Sequence, residues 1–96
     1  MATIDRLRAR LTERFAPVRL EIIDESARHA GHAGARPGGE THFRVTIVSA
    51  AFAGQNRVAR QRAVYGVLAE ELAHQVHALS LAALTPEEVE LQSEDE

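Results

Sequence analysis

The pattern of hydrophobic and polar positions predicts a helix at the start of the chain. Apolar residues recur there at helical spacing, at Ile4, Leu7, Leu11 and Phe15. Thr3 is the candidate N-cap, and Pro17 ends the helix.

Two alternating segments then predict strands on either side of a glycine-rich connection. In VRLEIID and HFRVTIVS every second residue is apolar, and these residues are Val18, Leu20, Ile22, Phe43, Val45 and Ile47. The connection, from Glu25 to Thr41, is longer than a hairpin needs. Loops of more than ~12 to 15 residues in compact domains are usually functional or disordered.

A second, longer helix is predicted after the connector AAFAGQN. Gly54 is expected to break the preceding structure and Asn56 to cap the helix, which should run from Arg57 to about His74. Its predicted buried face is formed by Val58, Gln61, Tyr65, Leu68 and Leu72, with Val64 and Val67 beside them.

A third strand and an acidic tail complete the pattern. The segment VHALSLAAL predicts the strand, with Leu79 and Leu81 on one face. Pro86 is expected to end this structure. The sequence therefore predicts one domain over residues 1–88 and an acidic, flexible tail over residues 89–96.

The order α-β-β-α-β predicts a single α+β domain with a three-stranded mixed sheet and helices on one face. The first two strands, joined without a helix, should pair antiparallel, and the helical crossover should make the second and third strands parallel. One end of the sheet would then collect all five histidines, which are His29, His32, His42, His74 and His77.

Composition narrows the chemistry that these histidines can support. The 96 residues include no cysteine, so this chain alone offers no thiolate ligand, disulfide or thiol nucleophile. Imidazole is a common ligand for zinc, copper and iron, so a pliable loop with His29 and His32 could bring a metal to the sheet end. Incidental histidines in a solvated loop are the alternative. For His77 the alternative is a half-buried histidine bonded to a backbone carbonyl, and His42 and His74 are interpreted as structural or surface residues.

Charge is distributed unevenly along the chain. All 11 basic residues are arginines at or before Arg62, whereas residues 63–96 hold eight acids and no base. No apolar run approaches the ~18 to 20 residues of a membrane span, and no secretory signal is evident. A cytoplasmic protein without a membrane partner is therefore expected.

Four blocks together carry a resemblance to a known family. LEIIDESARHAGH, ETHFRVTIVSAAFAG, RQRAVYGVLAEEL and VHALSLAALTPEE, in this order, resemble the BolA family from about Thr3 to Glu88. The resemblance implies a BolA-like fold, similar to a type II KH domain, with a short helical turn before the long helix. It also implies a non-enzymatic adaptor in iron–sulfur cluster handling or iron regulation.

The resemblance also implies a site and its partners. Members pair with monothiol glutaredoxins and share a glutathione-containing [2Fe-2S] cluster, and the family's ligand histidines fall on His77 and His29, with His32 as the alternative to His29. A weak homodimer is a further candidate assembly. The family usually has RHRxVY where this chain has RQRAVY, so Gln61 replaces a histidine.

The second hypothesis is that the chain is a KH-like transcriptional regulator that binds nucleic acid, with DNA as a candidate partner. Its candidate contacts are Arg44, Arg57, Arg60 and Arg62. The chain lacks the GxxG loop with which KH domains grip the nucleic-acid backbone. An enzyme is the third class, but the sequence contains no evident arrangement of nucleophile, base and orienting residue.

Overall fold

The structure is a computed structural model that describes residues 2–25, 42–74, 76 and 78–94. In chain order its elements are α1 (Thr3–Phe15), β1 (Arg19–Asp24), β2 (His42–Val48), a short 3-10 helix (Ala50–Phe52), α2 (Arg57–Val67), α3 (Ala69–His74), β3 (Ala78–Leu84) and α4 (Pro86–Glu94). The predicted order α-β-β-α-β is confirmed, and so is the short helical turn before the long helix.

The sheet has the predicted topology. Its strand order is β1-β2-β3, with β1 antiparallel and β3 parallel to the central β2. Val45 lies between Ile22 of β1 and Leu81 of β3 in the register. Ile22 and Val45 are buried members of the hydrophobic core, and Leu81 packs against them.

One hydrophobic core joins the helices to one face of the sheet. The buried members are Leu7, Leu11, Phe15, Ile22, Phe43, Val45, Ile47, Phe52, Val64, Leu68 and Val76. The first helix contributes Leu7, Leu11 and Phe15 to this core, as the spacing predicts. The opposite face of the sheet exposes Arg44, whose neighbours Phe43 and Val45 are buried, because successive side chains point to opposite faces of a strand.

The N-cap prediction for α1 is wrong. Ala2 is the N-cap residue, without a side-chain cap, and Thr3 is the first helical residue. An N-cap side chain reaches the first backbone N–H groups from an extended residue just outside the helix. Thr3 is already helical and therefore cannot be the N-cap. At the other end Ala16 adopts the left-handed conformation with φ 43° and donates its N–H to Thr12.

The predicted long helix is divided, and its buried face differs from the prediction. α2 ends at Val67 and α3 begins at Ala69. Val58 and Tyr65 are 53% and 37% exposed, whereas Val64 is fully buried. Consecutive helical residues are ~100° apart, so Val64 and Tyr65 cannot share a narrow buried face.

The predicted N-cap of α2 is confirmed. Asn56 accepts a hydrogen bond on Oδ1 from the N–H of Ala59 at 2.9 Å. Gly54 lies before it with φ 79°, a conformation that a residue with a Cβ rarely adopts. The connector therefore turns where the sequence indicated.

A fourth helix occupies most of the segment expected to be a tail. Pro86 is its first residue rather than a stop, because proline lacks only an N–H that the first helical turn leaves unused. Thr85 Oγ1 accepts from the N–H of Glu88 at 3.3 Å, and Glu88 Oε1 accepts from the N–H of Thr85 at 2.7 Å. This reciprocal pair is a capping box. The expected flexibility of residues 89–96 stays a prediction.

Candidate metal and nucleic-acid sites

The end of β1, the start of β2 and the start of β3 lie at one end of the sheet. Glu25, just after β1, donates its N–H to the carbonyl oxygen of His42 at 2.8 Å. His42 begins β2 and lies opposite Ala78, the first residue of β3. This is the end of the sheet at which the topology predicted the histidine-bearing segments to meet.

The predicted ligands lie outside the described residues. His29 and His32 belong to residues 26–41, which Glu25 and His42 flank, and His77 directly precedes Ala78. Among the residues that the structure does describe, no group of three histidine, cysteine, aspartate or glutamate side chains could hold a metal ion.

The two described histidines occupy different positions. His42 is half-buried at the start of β2, and His74 is exposed at the end of α3. Their assignment as structural or surface residues agrees with these positions.

Val76, which lies between α3 and β3, is held by a main-chain hydrogen bond and by core packing. The N–H of Val76 donates to the carbonyl oxygen of Glu71 at 2.9 Å. The Val76 side chain is buried in the core. The residue immediately before His77 therefore has a defined position.

Sequence reasoning missed a buried carboxylate in α3. Glu71 is only 2% exposed, and Arg10 Nε donates to its Oε2 at 2.8 Å. Arg10 Nη2 also donates to the exposed Glu70 at 3.0 Å. The other carboxylate oxygen of Glu71, Oε1, is buried and has no hydrogen-bond partner. The available signal was that Glu71 comes three residues after Leu68, on the same side of the helix.

Three of the four candidate nucleic-acid contacts are exposed to solvent, and the fourth, Arg60, is largely buried. Arg57 and Arg62 are exposed on α2. Arg44, on the open face of the sheet, lies 3.3 Å from the carboxylate of Glu25. Arg60 is engaged within the protein and its side chain is only 12% exposed. Arg57, Arg62 and Arg44 therefore expose their guanidinium groups to solvent more than Arg60 does.

Arg60 connects α2 to the end of β3 and to α4. Its Nη1 donates to the carbonyl oxygen of Ala83 at 3.0 Å and to Glu88 Oε1 at 2.6 Å, and its Nε donates to the carbonyl oxygen of Gln55 at 2.9 Å. The hydrogen bond from Arg60, reinforced by the one from the Thr85 backbone, lowers the pKa of Glu88 to about 2. The guanidinium and this carboxylate therefore form a stable ion pair at neutral pH.

No helix within the described parts of the chain combines the length and apolar character needed to cross a membrane.

Comparison with known proteins decides the family. The family model described as BolA-like protein matches residues 11–88. The chain belongs to the BolA family. Its fold agrees with that of a BolA-family structure, BolA1 from Arabidopsis thaliana, with a TM-score of 0.83 and 48% identity over 92% of this chain and 96% of that one.

Curated BolA relatives include plant and bacterial proteins. The chain is 51% identical over 85 residues to Protein BOLA1, chloroplastic, from Arabidopsis thaliana, covering 86% of this chain and 53% of that protein. It is 44% identical over 86 residues to the DNA-binding transcriptional regulator BolA of Escherichia coli K12, covering 90% and 78%. The chain thus spans about half the length of the plant relative and most of the bacterial one.

Proposed function

We propose that this BolA-family chain is a non-enzymatic adaptor that binds a monothiol glutaredoxin and shares a glutathione-containing [2Fe-2S] cluster with it. Its role is in iron–sulfur cluster assembly or transfer, or in iron regulation. His77 and His29 are the ligands from this chain, with His32 as the alternative to His29.

The observation that carries the proposal is the meeting of chain segments at one end of the sheet. Glu25 and His42 flank the histidine-rich connection and are hydrogen-bonded to each other, and on its other side His42 lies opposite Ala78, the residue after His77. Segments that carry His29 or His32 and His77 therefore leave the described fold from neighbouring points. Two imidazoles from such segments can serve one metal centre.

The amino-acid content supports half of a cluster site rather than a whole one. The chain contains five histidines and no cysteine. Imidazoles can replace two thiolates on one iron of a [2Fe-2S] cluster, as in Rieske centres, and this raises the reduction potential. Glutaredoxin and glutathione thiolates would supply the remaining ligands. When bound, the cluster supplies one-electron chemistry or is itself the cargo that the complex delivers.

Anaerobic reconstitution tests the proposal. The purified chain is mixed with a monothiol glutaredoxin, glutathione, iron and sulfide, and visible absorption and circular dichroism are recorded against glutaredoxin alone. We expect a new spectrum at one-to-one stoichiometry that His77→Ala abolishes. His74→Ala, an exposed histidine on α3, is the matched control and should leave the spectrum unchanged.

The loop ligand is identified in the same assay. If His29 ligates, His29→Ala alters the spectrum and His32→Ala does not, and the reverse pattern identifies His32. A wild-type chain that yields no complex and no new spectrum contradicts the adaptor function.

Transcriptional regulation through DNA is the second candidate, favoured by the similarity to the DNA-binding transcriptional regulator BolA of Escherichia coli K12. The exposed Arg57 and Arg62 are its best contacts in this chain, whereas Arg60 is committed to protein contacts. Binding to duplex DNA should weaken with rising salt, and Arg57→Gln with Arg62→Gln should weaken it further. DNA affinity that these two changes leave unaltered contradicts this interface.

A further inference from the structure

A cleft of about 640 Å³ lies between the start of α2, the end of β3 and the first turn of α4. Its volume falls within the range of ~300 to 1,000 Å³ that is typical of ligand-binding pockets. Residues 81–84 at the end of β3 line one side, and Arg57, Arg60 and Gln61 of α2 line another. The proposed cluster-sharing function makes no use of this cleft.

The two arginines of the cleft differ in how their charge is used. Arg60 donates to Glu88 Oε1 at 2.6 Å, so its charge is balanced by a carboxylate that also lines the cleft. Arg57 is exposed, and among the residues that the structure describes its guanidinium has no hydrogen-bond or ion-pair partner. Gln61 comes one helical turn after Arg57, on the same side of α2, and its amide also has no partner within the described chain. One unused cation and one unused amide therefore line the cleft.

We propose that this cleft binds a carboxylate group of an acidic peptide segment from a partner protein. Arg57 donates to the carboxylate, because a planar guanidinium matches a carboxylate in a two-point contact. The amide of Gln61 both donates and accepts, so it bonds to a peptide group of the segment. The small apolar side chains of Ala82 and Ala83, which also line the cleft, leave room for the segment's main chain. This inference does not depend on the proposed cluster-sharing function.

Glu88 favours a carboxylate ligand over a phosphate group. Its own carboxylate, bound to Arg60, is an anion of the type that the cleft accommodates. The pKa of Glu88, lowered to about 2 by its hydrogen bonds with Arg60 and Thr85, keeps this group negatively charged at neutral pH. Arg57 then leaves a net charge of one positive unit in the cleft. A single carboxylate balances that charge, whereas a phosphate dianion would leave excess negative charge beside Glu88.

Amide chemical shifts of the isotope-labelled full chain measure this binding by NMR titration. The probe is an acetylated and amidated tetrapeptide with one glutamate among alanines, and its matched control carries glutamine instead of glutamate. We expect saturable shifts at the residues that line the cleft with the glutamate peptide and none with the glutamine peptide. Arg57→Gln should weaken binding about 10-fold or more, because a hydrogen bond between charged groups is lost. Arg8→Gln, at an exposed position of α1 outside the cleft, is the control variant and should bind as the wild type does.

Two further variants test the roles of the amide and of Glu88. Gln61→Ala should weaken binding of the glutamate peptide and leave the binding of acetate unchanged, because acetate has no peptide group. Glu88→Gln should bind inorganic phosphate about 2- to 5-fold more tightly than the wild type, because the competing negative charge is gone. Glutamine also serves in a capping box, so the start of α4 is kept in this variant.

Four outcomes would overturn the proposal or a stated part of it. If neither peptide shifts the cleft residues, or if both shift them equally, the cleft does not recognise a carboxylate on a peptide. If acetate binds the wild type as tightly as the glutamate peptide does, the peptide partner is overturned. If inorganic phosphate binds the wild type more tightly than the peptide, the charge argument is wrong. If Arg57→Gln binds the peptide as Arg8→Gln does, the role of Arg57 is overturned.

Discussion

Replacing Ser49 by alanine tests whether one buried hydroxyl holds the end of α1 to the end of β2. Ser49 is 1% exposed, its Oγ donates to the carbonyl oxygen of Phe15 at 2.7 Å, and it accepts from the N–H of Ala51 at 3.1 Å. The change leaves the carbonyl oxygen of Phe15, at the end of α1, and the N–H of Ala51, in the 3-10 helix, without this partner. An unpaired buried group costs ~1 to 3 kcal/mol, and loss of an N-cap ~1 kcal/mol. We therefore expect a loss of about 2 to 4 kcal/mol.

Chemical and thermal denaturation measure this loss. For a domain of this size it corresponds to a fall of roughly 10 °C or more in the melting temperature. Ser80→Ala, on an exposed position of β3, is the matched control and should change the stability by less than about 0.5 kcal/mol. If Ser49→Ala matched this control, the two hydrogen bonds would make no net contribution, and the reasoning would be refuted.

Three further predictions concern stability. The hydrogen bonds from Arg60 and from the Thr85 backbone lower the pKa of Glu88 from 4.5 to about 2, so that carboxylate stabilises the fold above pH 4.5 and this contribution is lost as the pH falls toward 2. Glu88→Gln should therefore flatten the decline in stability at acid pH, measured by urea titrations at a series of pH values, and an unchanged decline contradicts this pKa shift. Ala16→Gly should raise the unfolding free energy by about 0.5 to 1 kcal/mol, because glycine adopts the left-handed conformation of Ala16 without strain; a loss would contradict it. Val64→Ala should cost about 2 kcal/mol and the exposed Val58→Ala less than about 0.5 kcal/mol, whereas equal costs would place the buried face of α2 elsewhere.

The strands and the sheet topology were predictable because each strand buries one face. Alternation at Phe43, Val45 and Ile47 matches their burial. The absence of a helix between the first two strands, together with the helical crossover before the third, fixed the antiparallel and parallel pairings.

The buried face of the long helix was not predictable from apolar spacing alone. Val58 and Tyr65 are apolar or aromatic but exposed, whereas the buried face includes the charged Glu71. A carboxylate on that face interrupts the helical repeat of apolar residues from which a buried face is predicted. The carboxylate is accommodated there because it is paired with Arg10 of α1, a tertiary contact that the local sequence does not show.

The helix after β3 was missed for a local reason. Pro86 was interpreted as a stop, although the sequence Thr-Pro-Glu-Glu also carries the signature of a helix start, with a capping threonine and a glutamate three residues later. The contact of Glu88 with Arg60 adds a tertiary partner that no local pattern shows. The assignment of His77 and His29 as metal ligands relied on the family resemblance, because the spacing of the histidines along the sequence does not match a metal-binding motif.

The hydrogen bond from Arg60 to Ala83 has a consequence for how the protein behaves at high concentration. β3 is the last strand of the sheet, so its outer backbone groups are open to pairing with a strand of another molecule. The carbonyl oxygen of Leu84 accepts from the N–H of Ser49, on the β2 side, and neighbouring carbonyls of a strand point in opposite directions, so that of Ala83 faces outward. Arg60 occupies this acceptor and places a charged, bulky group on the edge. The same arginine that joins two helices and a strand thus also protects the sheet against intermolecular growth.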